Sequence, residues 1–257
     1  MKRCLSILIL MVCACVVSAQ DFHWWHSAAD KPKSGNGPTI PTNGLISYWS
    51  FSDIASTTCV DSVDDNDAIE LDTYHGIPTN GIKGLPDTAV YFDGGINSCF
   101  DMGNKANLCF SNSLTLSLWI QFIDANAAGS HAVIGKPESS SRGYGLWMNN
   151  GQLKGVIGDG SNDSWFNFNT SMTLTNLIWY YVALTFDGDT GKIYVDGVEQ
   201  ASYSKTCTII QTANEFVMGA YSAGPNYYCP CVLDEVRAYN RGLSSNEVGI
   251  IYNAEKP

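Results

Sequence analysis

The segment that most constrains the fold lies in the last third of the chain. Two runs of aromatic and β-branched residues, Trp179 to Phe186 and Lys192 to Val195, flank a glycine-containing turn at Asp187 to Gly191. Such runs favour strands, and glycine accepts a positive φ at a turn without steric cost. Asp196-Gly197 favours a second tight turn, after which Val198 to Tyr203 can return as a third strand. The segment therefore predicts a three-stranded antiparallel meander.

Turn signals continue through the rest of the chain after position 43. Asx-Gly dipeptides stand at Asn80-Gly81, Asp93-Gly94, Asn150-Gly151, Asp187-Gly188 and Asp196-Gly197. They separate short runs with strand character, which is typical of an all-β fold. Helical spacing is confined to Ser244 to Tyr252, where Ser244 or Ser245 can cap a short helix. About 210 residues suit one all-β domain better than two.

Six segments, in chain order, resemble the strands of laminin-G-like domains in the concanavalin A-like superfamily. They are Leu45 to Phe51, Val90 to Gly94, Leu114 to Ile120, Gly143 to Trp147, Trp179 to Gly197 and Leu233 to Ser244. The resemblance implies an all-β fold, a two-sheet antiparallel jelly-roll sandwich, with a short C-terminal helix. We expect this domain to occupy residues 44–257.

The first 43 residues have a different character. Residues 1–19 contain two basic residues, an apolar run from Leu5 to Val17 and a small-residue cleavage site at Val17-Ser18-Ala19, which together predict a signal peptide and a secreted, extracellular protein. An alternative is a bacterial lipoprotein box, with membrane attachment through a lipid at Cys15. Residues 20–43 are rich in Pro, Gly, Ser and Asn, and are predicted to be a flexible linker.

Six cysteines remain after the predicted signal peptide, which favours disulfides in an oxidising compartment. They are Cys59, Cys99, Cys109, Cys207, Cys229 and Cys231. Our working pairing joins Cys99 to Cys109, and Cys59 and Cys207 to the two cysteines of Cys229-Pro230-Cys231. Six cysteines allow about 15 connectivities, so other pairings stay open.

The charge of the mature chain restricts its partners. Loss of Lys2 and Arg3 lowers the 14 basic residues to 12 against 25 acidic ones, so the net charge becomes −13. Such a surface repels nucleic acid and anionic lipid. It favours divalent cations instead, because carboxylate and carbonyl oxygens are the ligands that calcium takes.

Acidic residues are concentrated in the loop after the first predicted strand, at Asp53, Asp61, Asp64, Asp65 and Asp67. The resemblance to laminin-G-like domains implies a structural calcium held by Asp53, Asp61, Asn66 and Asp234. The sequence departs from the family pattern at Phe51-Ser52-Asp53, which displaces the first ligand by one residue. A solvated acidic loop without metal is the alternative.

The same superfamily includes glycoside hydrolases, which need two carboxylates facing each other across the substrate. Those enzymes carry Glu-x-Asp-x-(x)-Glu on one strand. Here Glu70-Leu71-Asp72 begins this pattern, but the last Glu is missing. Asp234 and Glu235 are adjacent, so their side chains are expected on opposite faces of a strand. The sequence therefore predicts a protein without catalytic activity.

Binding is the remaining class of function. Exposed aromatic residues are candidate sugar platforms, namely Trp147, Trp165, Tyr227 and Tyr228, with Phe166 and Phe168 beside them. Trp49, Trp119, Trp179 and Tyr194 stand at strand positions and are predicted to pack in the core instead. We expect a binding or adhesion module for a glycan or an extracellular protein. A structural surface or matrix protein, without a soluble ligand, is the alternative.

Overall fold

The structure, a computed structural model, describes residues 39–257 except 53, 55–57, 71–76, 97, 127–128, 139–141, 162–165 and 222–226. The predicted signal peptide, Cys15 and most of the predicted linker lie outside the described residues. Asp53 and Trp165 do so as well. The end of the linker is described, and it packs on the domain. Tyr239 Oη donates to the Pro41 carbonyl at 3.1 Å, and Arg241 Nε donates to the Asn43 carbonyl at 2.7 Å.

The described chain contains strands, one short 3-10 helix and one α-helix. The strands are β1 (Leu45–Trp49), β2 (Thr58–Cys59), β3 (Ala68–Glu70), β4 (Ile77–Thr79), β5 (Ala89–Phe92), β6 (Phe100–Asp101), β7 (Leu114–Phe122), β8 (Ser130–Gly135), β9 (Arg142–Asn149), β10 (Gln152–Asp159), β11 (Phe166–Asn169), β12 (Trp179–Phe186), β13 (Thr190–Val195), β14 (Val198–Ser204), β15 (Val217–Met218) and β16 (Cys231–Tyr239). The 3-10 helix is Ala106–Leu108, and the α-helix α1 is Ser245–Glu255.

These strands form two antiparallel sheets. The first sheet has the order β14-β13-β12-β7-β16-β5-β4, with β1 also paired to β16, and the second has the order β11-β10-β9-β8-β15-β6-β3-β2. The meander predicted from the sequence is confirmed as β12, β13 and β14. Its second turn has positive φ at both Asp196 and Gly197, the geometry that a two-residue hairpin turn requires. The predicted jelly-roll sandwich is confirmed.

The main core lies between the two sheets. It contains Trp49, Phe92, Leu116, Leu146 and Leu184, all fully buried. Along β9 the inward residues Leu146 and Met148 belong to this core, whereas Trp147 belongs to a separate cluster. Alternate residues of a strand point to opposite faces. Each sheet therefore also has an outer face, which points away from the main core.

The helix α1 covers the outer face of the first sheet. Val248 and Ile251 of α1 are buried there against Trp119, Tyr181 and other aromatic side chains. Because β7 and β16 are covered on both faces, almost every residue in these strands is buried. Trp49, Trp119 and Tyr194 are core residues, as predicted.

The start of α1 is set by local chemistry that the sequence already indicates. Ser244 accepts a hydrogen bond from the Glu247 N–H, and the Glu247 carboxylate accepts one from the Ser244 N–H, which makes a capping box. The predicted short C-terminal helix and its cap at Ser244 are confirmed. The helix of the described chain is too short and too polar to cross a bilayer.

Candidate functional site

Three aromatic rings meet on the outer face of the second sheet, and we call them the aromatic triplet: Trp147, Tyr221 and Tyr227. Ring centroids are 5.5 Å apart for Trp147 and Tyr221, 5.5 Å for Trp147 and Tyr227, and 5.7 Å for the two tyrosines. Each pair is tilted or edge-on, the arrangements that aromatic rings favour. Trp147 is only 9% exposed, whereas Tyr227 is 39% exposed. The Trp147 indole is thus the buried base of the triplet, and the Tyr227 ring is its solvent-accessible part.

Backbone pairing places these rings. Trp147 lies on β9 opposite Ala132 of β8, and the small alanine leaves room above the sheet for larger side chains. The Ala132 N–H donates to the Tyr227 carbonyl at 2.9 Å, and His131 Nδ1 donates to the Tyr228 carbonyl at 2.7 Å. The segment 227–228 is therefore attached to β8 through its main chain. This attachment brings Tyr227 over the sheet.

Polar side chains continue the row beside Trp147. Lys154 of β10 lies opposite Trp147, and Asn169 of β11 lies opposite Lys154. Asn169 is exposed, and Lys154 is half-buried, with a pKa that desolvation lowers. This row thus combines an aromatic ring, a cation and an amide on one face of the sheet, supplied by Trp147, Lys154 and Asn169. Such a combination of apolar surface and a few polar groups is typical of sites for small polar ligands.

The structure brings together two of the predicted ligand-binding residues. Trp147 and Tyr227 are in contact. Tyr228 packs against a small cluster that contains Cys99 and Val217. Trp165 is outside the described residues. Tyr221 was missed by the sequence analysis, although its position just before Gly224-Pro225-Asn226 and the Tyr227-Tyr228 pair could have indicated it.

The predicted calcium ligands that the structure describes have different hydrogen-bond partners. Asp61 accepts the N–H of Tyr48 at 2.9 Å, and Asn66 donates to Ser47 Oγ at 2.8 Å, so both residues fasten the acidic loop to β1. Asp234 instead accepts the Ile82 N–H at 2.9 Å. The second carboxylate oxygen of Asp61 is buried and has no hydrogen-bond partner in the described part of the chain.

These hydrogen bonds limit how many oxygen atoms remain free to bind a metal ion. One oxygen of Asp61 is available to a cation, but calcium takes about six to eight oxygens. Among the described residues, no group of three or more His, Cys, Asp and Glu side chains is placed to hold a metal ion. Asp53 is not among them, and the calcium site stays a prediction.

A buried charge cluster lies between the first sheet and α1, and it consists of Arg237, Glu235 and Glu255. The Arg237 guanidinium is 2.8 Å from Glu235 Oε2 and 2.7 Å from Glu255 Oε1. Tyr48 Oη donates to Glu235 at 2.5 Å, and Trp119 Nε1 donates to Glu255 at 3.0 Å. One cation therefore faces two carboxylates beneath the C-terminal helix. This cluster ties β1, β7 and α1 to β16.

Asp234 lies next to Glu235 of the buried charge cluster, and we expect it to make stability depend on pH. Burial, together with the negative charge of Glu235, raises the pKa of Asp234 to about 8 from its ordinary value of 3.8. Between these two pH values the folded state holds a proton that the unfolded state has released. The free energy of unfolding therefore falls as the pH rises through this window, by up to about 1.4 kcal/mol per pH unit for one group.

We expect Asp234→Asn to make this pH dependence shallower between pH 5 and pH 8, since the amide does not titrate but can still accept the Ile82 N–H. Urea unfolding at several pH values measures the slope. Glu247→Gln is the matched control, because the pKa of Glu247 is lowered to about 2 by its bond to Arg241 and lies outside the window. Equal slopes for the wild type and Asp234→Asn would contradict the assignment.

The cysteines lie in distinct surroundings. Cys59, Cys229 and Cys231 all belong to the main core, which is compatible with a bond between Cys59 and one of the other two. Cys99 packs with Val217, whereas Cys109 Sγ contacts Lys136 and Asn104. The pairing of Cys99 with Cys109 stays a prediction. Disulfides themselves stay a prediction.

The residues of the incomplete hydrolase pattern give no further information on catalysis. Glu70 ends β3, opposite Phe100, and residues 71–76 lie outside the described residues. The other acidic pair, Asp234 and Glu235, lies under α1 with the bonds described above. Their oxygens are engaged by an N–H of the main chain, a guanidinium and a phenol.

Comparisons with known proteins agree with this architecture. A family model described as the concanavalin A-like lectin/glucanases superfamily matches residues 93–249. A comparison with curated protein sequences gave no match.

Solved structures give the same fold at low sequence identity. The binding domain of Paraclostridial Mosquitocidal Protein 1 is 17% identical, with a TM-score of 0.67 over 82% of this chain and 52% of that one. Trypanosoma rangeli sialidase in complex with 2,3-difluorosialic acid is 20% identical, with a TM-score of 0.61 over 87% of this chain and 35% of that one. The botulinum neurotoxin serotype D ligand-binding domain in complex with N-acetylneuraminic acid is 14% identical, with a TM-score of 0.59 over 83% and 51%. This chain therefore spans about half of the toxin domains and about a third of the sialidase.

Proposed function

Because this chain belongs to the concanavalin A-like lectin/glucanase superfamily, we propose that it is a non-catalytic, lectin-like module that binds a glycan. The aromatic triplet is the observation that carries this proposal. It presents a half-exposed tyrosine on a rigid base of Trp147 and strand backbone. Two of the similar structures are named as binding domains, and one of them is in complex with a sialic acid.

The chemistry of the row beside the triplet suits a sugar. One face of a pyranose ring is made of C–H groups, which pack on aromatic rings, while its hydroxyl groups need hydrogen-bond partners. Tyr227 supplies an exposed aromatic face with a polar hydroxyl at its edge. Lys154 and Asn169 supply a donor cation and an amide along the same strand register. The proposed site therefore covers the outer face of β8 to β11.

The location of the protein and its metal belong to the same proposal. The predicted signal peptide would bring the module to the cell exterior, where glycans of cell surfaces and matrices are its available ligands. A calcium ion on the acidic loop would stabilise the domain from β1, away from Trp147 and Tyr227. Glycan binding is thus expected to depend on the triplet directly and on calcium only through the stability of the fold.

We expect Tyr227→Ala to weaken glycan binding about tenfold, which corresponds to about 1.4 kcal/mol, because the exposed ring of the platform is lost. A glycan array identifies the best ligand, and isothermal titration calorimetry then measures Kd for each variant. Tyr203→Ala is the matched control, since Tyr203 is 46% exposed but lies on β14 of the first sheet. A silent array, or equal losses for the two variants, would reject this site.

A further inference from the structure

A fully buried lysine just after β8 lies next to a cysteine. Lys136, directly after β8, is 0% exposed. Its Nζ lies 3.3 Å from Cys109 Sγ, and it also donates to Asn104 Oδ1. Lysine is rarely buried completely without a paired carboxylate. Here its described partners are an amide oxygen and a sulfur atom.

The position of Cys109 makes the sulfur reachable from solvent. Cys109 follows the 3-10 helix Ala106–Leu108 and is only partly buried, whereas Cys59, Cys99, Cys229 and Cys231 are buried. Reactivity of cysteine toward oxidants follows its exposure and its cationic neighbours. Small oxidants can therefore reach Sγ while the amine is held against it.

From this contact we propose that Lys136 and Cys109 form an oxidation-dependent covalent cross-link, in which one oxygen atom bridges Nζ and Sγ. Dioxygen is the oxidant. The Lys136 ammonium first releases a proton to solvent. The S–H bond and one N–H bond then break, an S–O and an N–O bond form, and the second oxygen atom leaves as water. Sulfur and nitrogen each lose two electrons, and dioxygen takes up four.

The cross-link would connect two segments that are distant in sequence. It joins the end of β8 to the segment after the 3-10 helix, across a separation of 27 residues. A covalent bond across such a loop restricts the unfolded chain and stabilises the folded one. We expect Tm to rise by roughly 5 °C on cross-linking. A thiol reductant returns the cysteine and the lysine, and Tm falls again.

Peptide mapping by mass spectrometry tests the proposal on the intact protein. After exposure to air and digestion without reductant, we expect a peptide pair that contains Cys109 and Lys136 and is heavier than the two separate peptides by about 14 Da, one oxygen less two hydrogens. The pair disappears after treatment with a thiol reductant. Cys207→Ser should keep it, since Cys207 is the other partly exposed cysteine of the described chain.

Two variants remove the linked atoms one at a time. Lys136→Met and Cys109→Ser should both abolish the pair and the reductant-sensitive rise in Tm. If Lys136→Met does not fold, the wild-type peptide map and Cys109→Ser decide the question. Three results would overturn the proposal: Cys109 in a disulfide, Cys109 as a thiol after prolonged exposure to air, or oxidised Cys109 beside an unmodified Lys136.

Discussion

Replacement of Arg237 by methionine is expected to lower the free energy of unfolding by about 3–5 kcal/mol at pH 7, because it leaves buried carboxylates without their cation. Arg237 is 4% exposed and Glu255 is 2% exposed, so water cannot solvate the Glu255 charge that remains. Methionine keeps most of the side-chain volume and isolates the electrostatic effect. Unfolding by guanidinium, followed by tryptophan fluorescence, measures the loss.

Lys192→Met is the matched control for this variant. Lys192 also bonds a glutamate, Glu199, at 2.9 Å, but the two side chains are 34% and 38% exposed. Exposed pairs of this kind contribute about 0–1 kcal/mol. A loss for Arg237→Met no larger than that for Lys192→Met would contradict the role of the buried charge cluster.

The pH dependence of this stability loss and a triple variant give two further tests of the buried charge cluster. Burial raises the pKa of Glu255 to about 7, although Arg237 opposes the shift. Without Arg237 the Glu255 carboxylate takes up a proton more readily, so the loss should be smaller at pH 5 than at pH 8. Adding Glu235→Gln and Glu255→Gln to Arg237→Met removes the unpaired charges and should recover most of the stability, since a buried network can be replaced as a whole at little cost.

Gly143→Ala is expected to destabilise the protein by more than about 3 kcal/mol or to prevent folding, as severe backbone clashes do. Gly143 is the second residue of β9 and has a φ of +79°, and an added Cβ would clash with the Lys136 carbonyl oxygen. The β8 and β9 backbones would have to move apart. Because β8 and β9 support the aromatic triplet and carry the start of the loop at Lys136, both proposed sites would be lost together.

The matched control is Gly84→Ala. Gly84 has a similar φ of +70°, but nothing lies within 4 Å of an added Cβ. It should therefore cost only the intrinsic strain of a left-handed alanine, about 1–2 kcal/mol. Expression yield and urea unfolding compare the two variants. Similar losses of stability at the two glycines would contradict this prediction, because they would show that the sheet accommodates a Cβ at Gly143 without being disturbed.

The sequence predicted the fold well where the signals are local. The strands around Asp196-Gly197 and the helix cap at Ser244 and Glu247 depend on residues within a few positions of each other, so turn chemistry and alternation are sufficient. The resemblance to laminin-G-like domains then supplied the arrangement of the two sheets. Strand ends were less certain. For example, β7 continues beyond Ile120 to Phe122.

The sequence was less informative about the acidic residues, because a carboxylate in a loop can either bind a cation or accept hydrogen bonds from the protein. Asp61 and Asn66 have the oxygen atoms that a cation takes, but they equally satisfy main-chain and side-chain groups of β1. Asp234 was grouped with them by resemblance, and the structure gives it a different partner, the Ile82 N–H. Spacing along the chain does not distinguish a ligand from a hydrogen-bond acceptor.

The sequence by itself determined the all-β class, the meander from Trp179 to Ser204 and the helix after Ser244, since periodicity and turn residues act over short distances. Only the tertiary structure decided which side chains meet. Trp147 contacts Tyr221 and Tyr227, Arg237 contacts Glu255, and Lys136 contacts Cys109. These contacts depend on strand register and on how α1 and the loops pack, and such long-range pairing is not encoded by any local pattern.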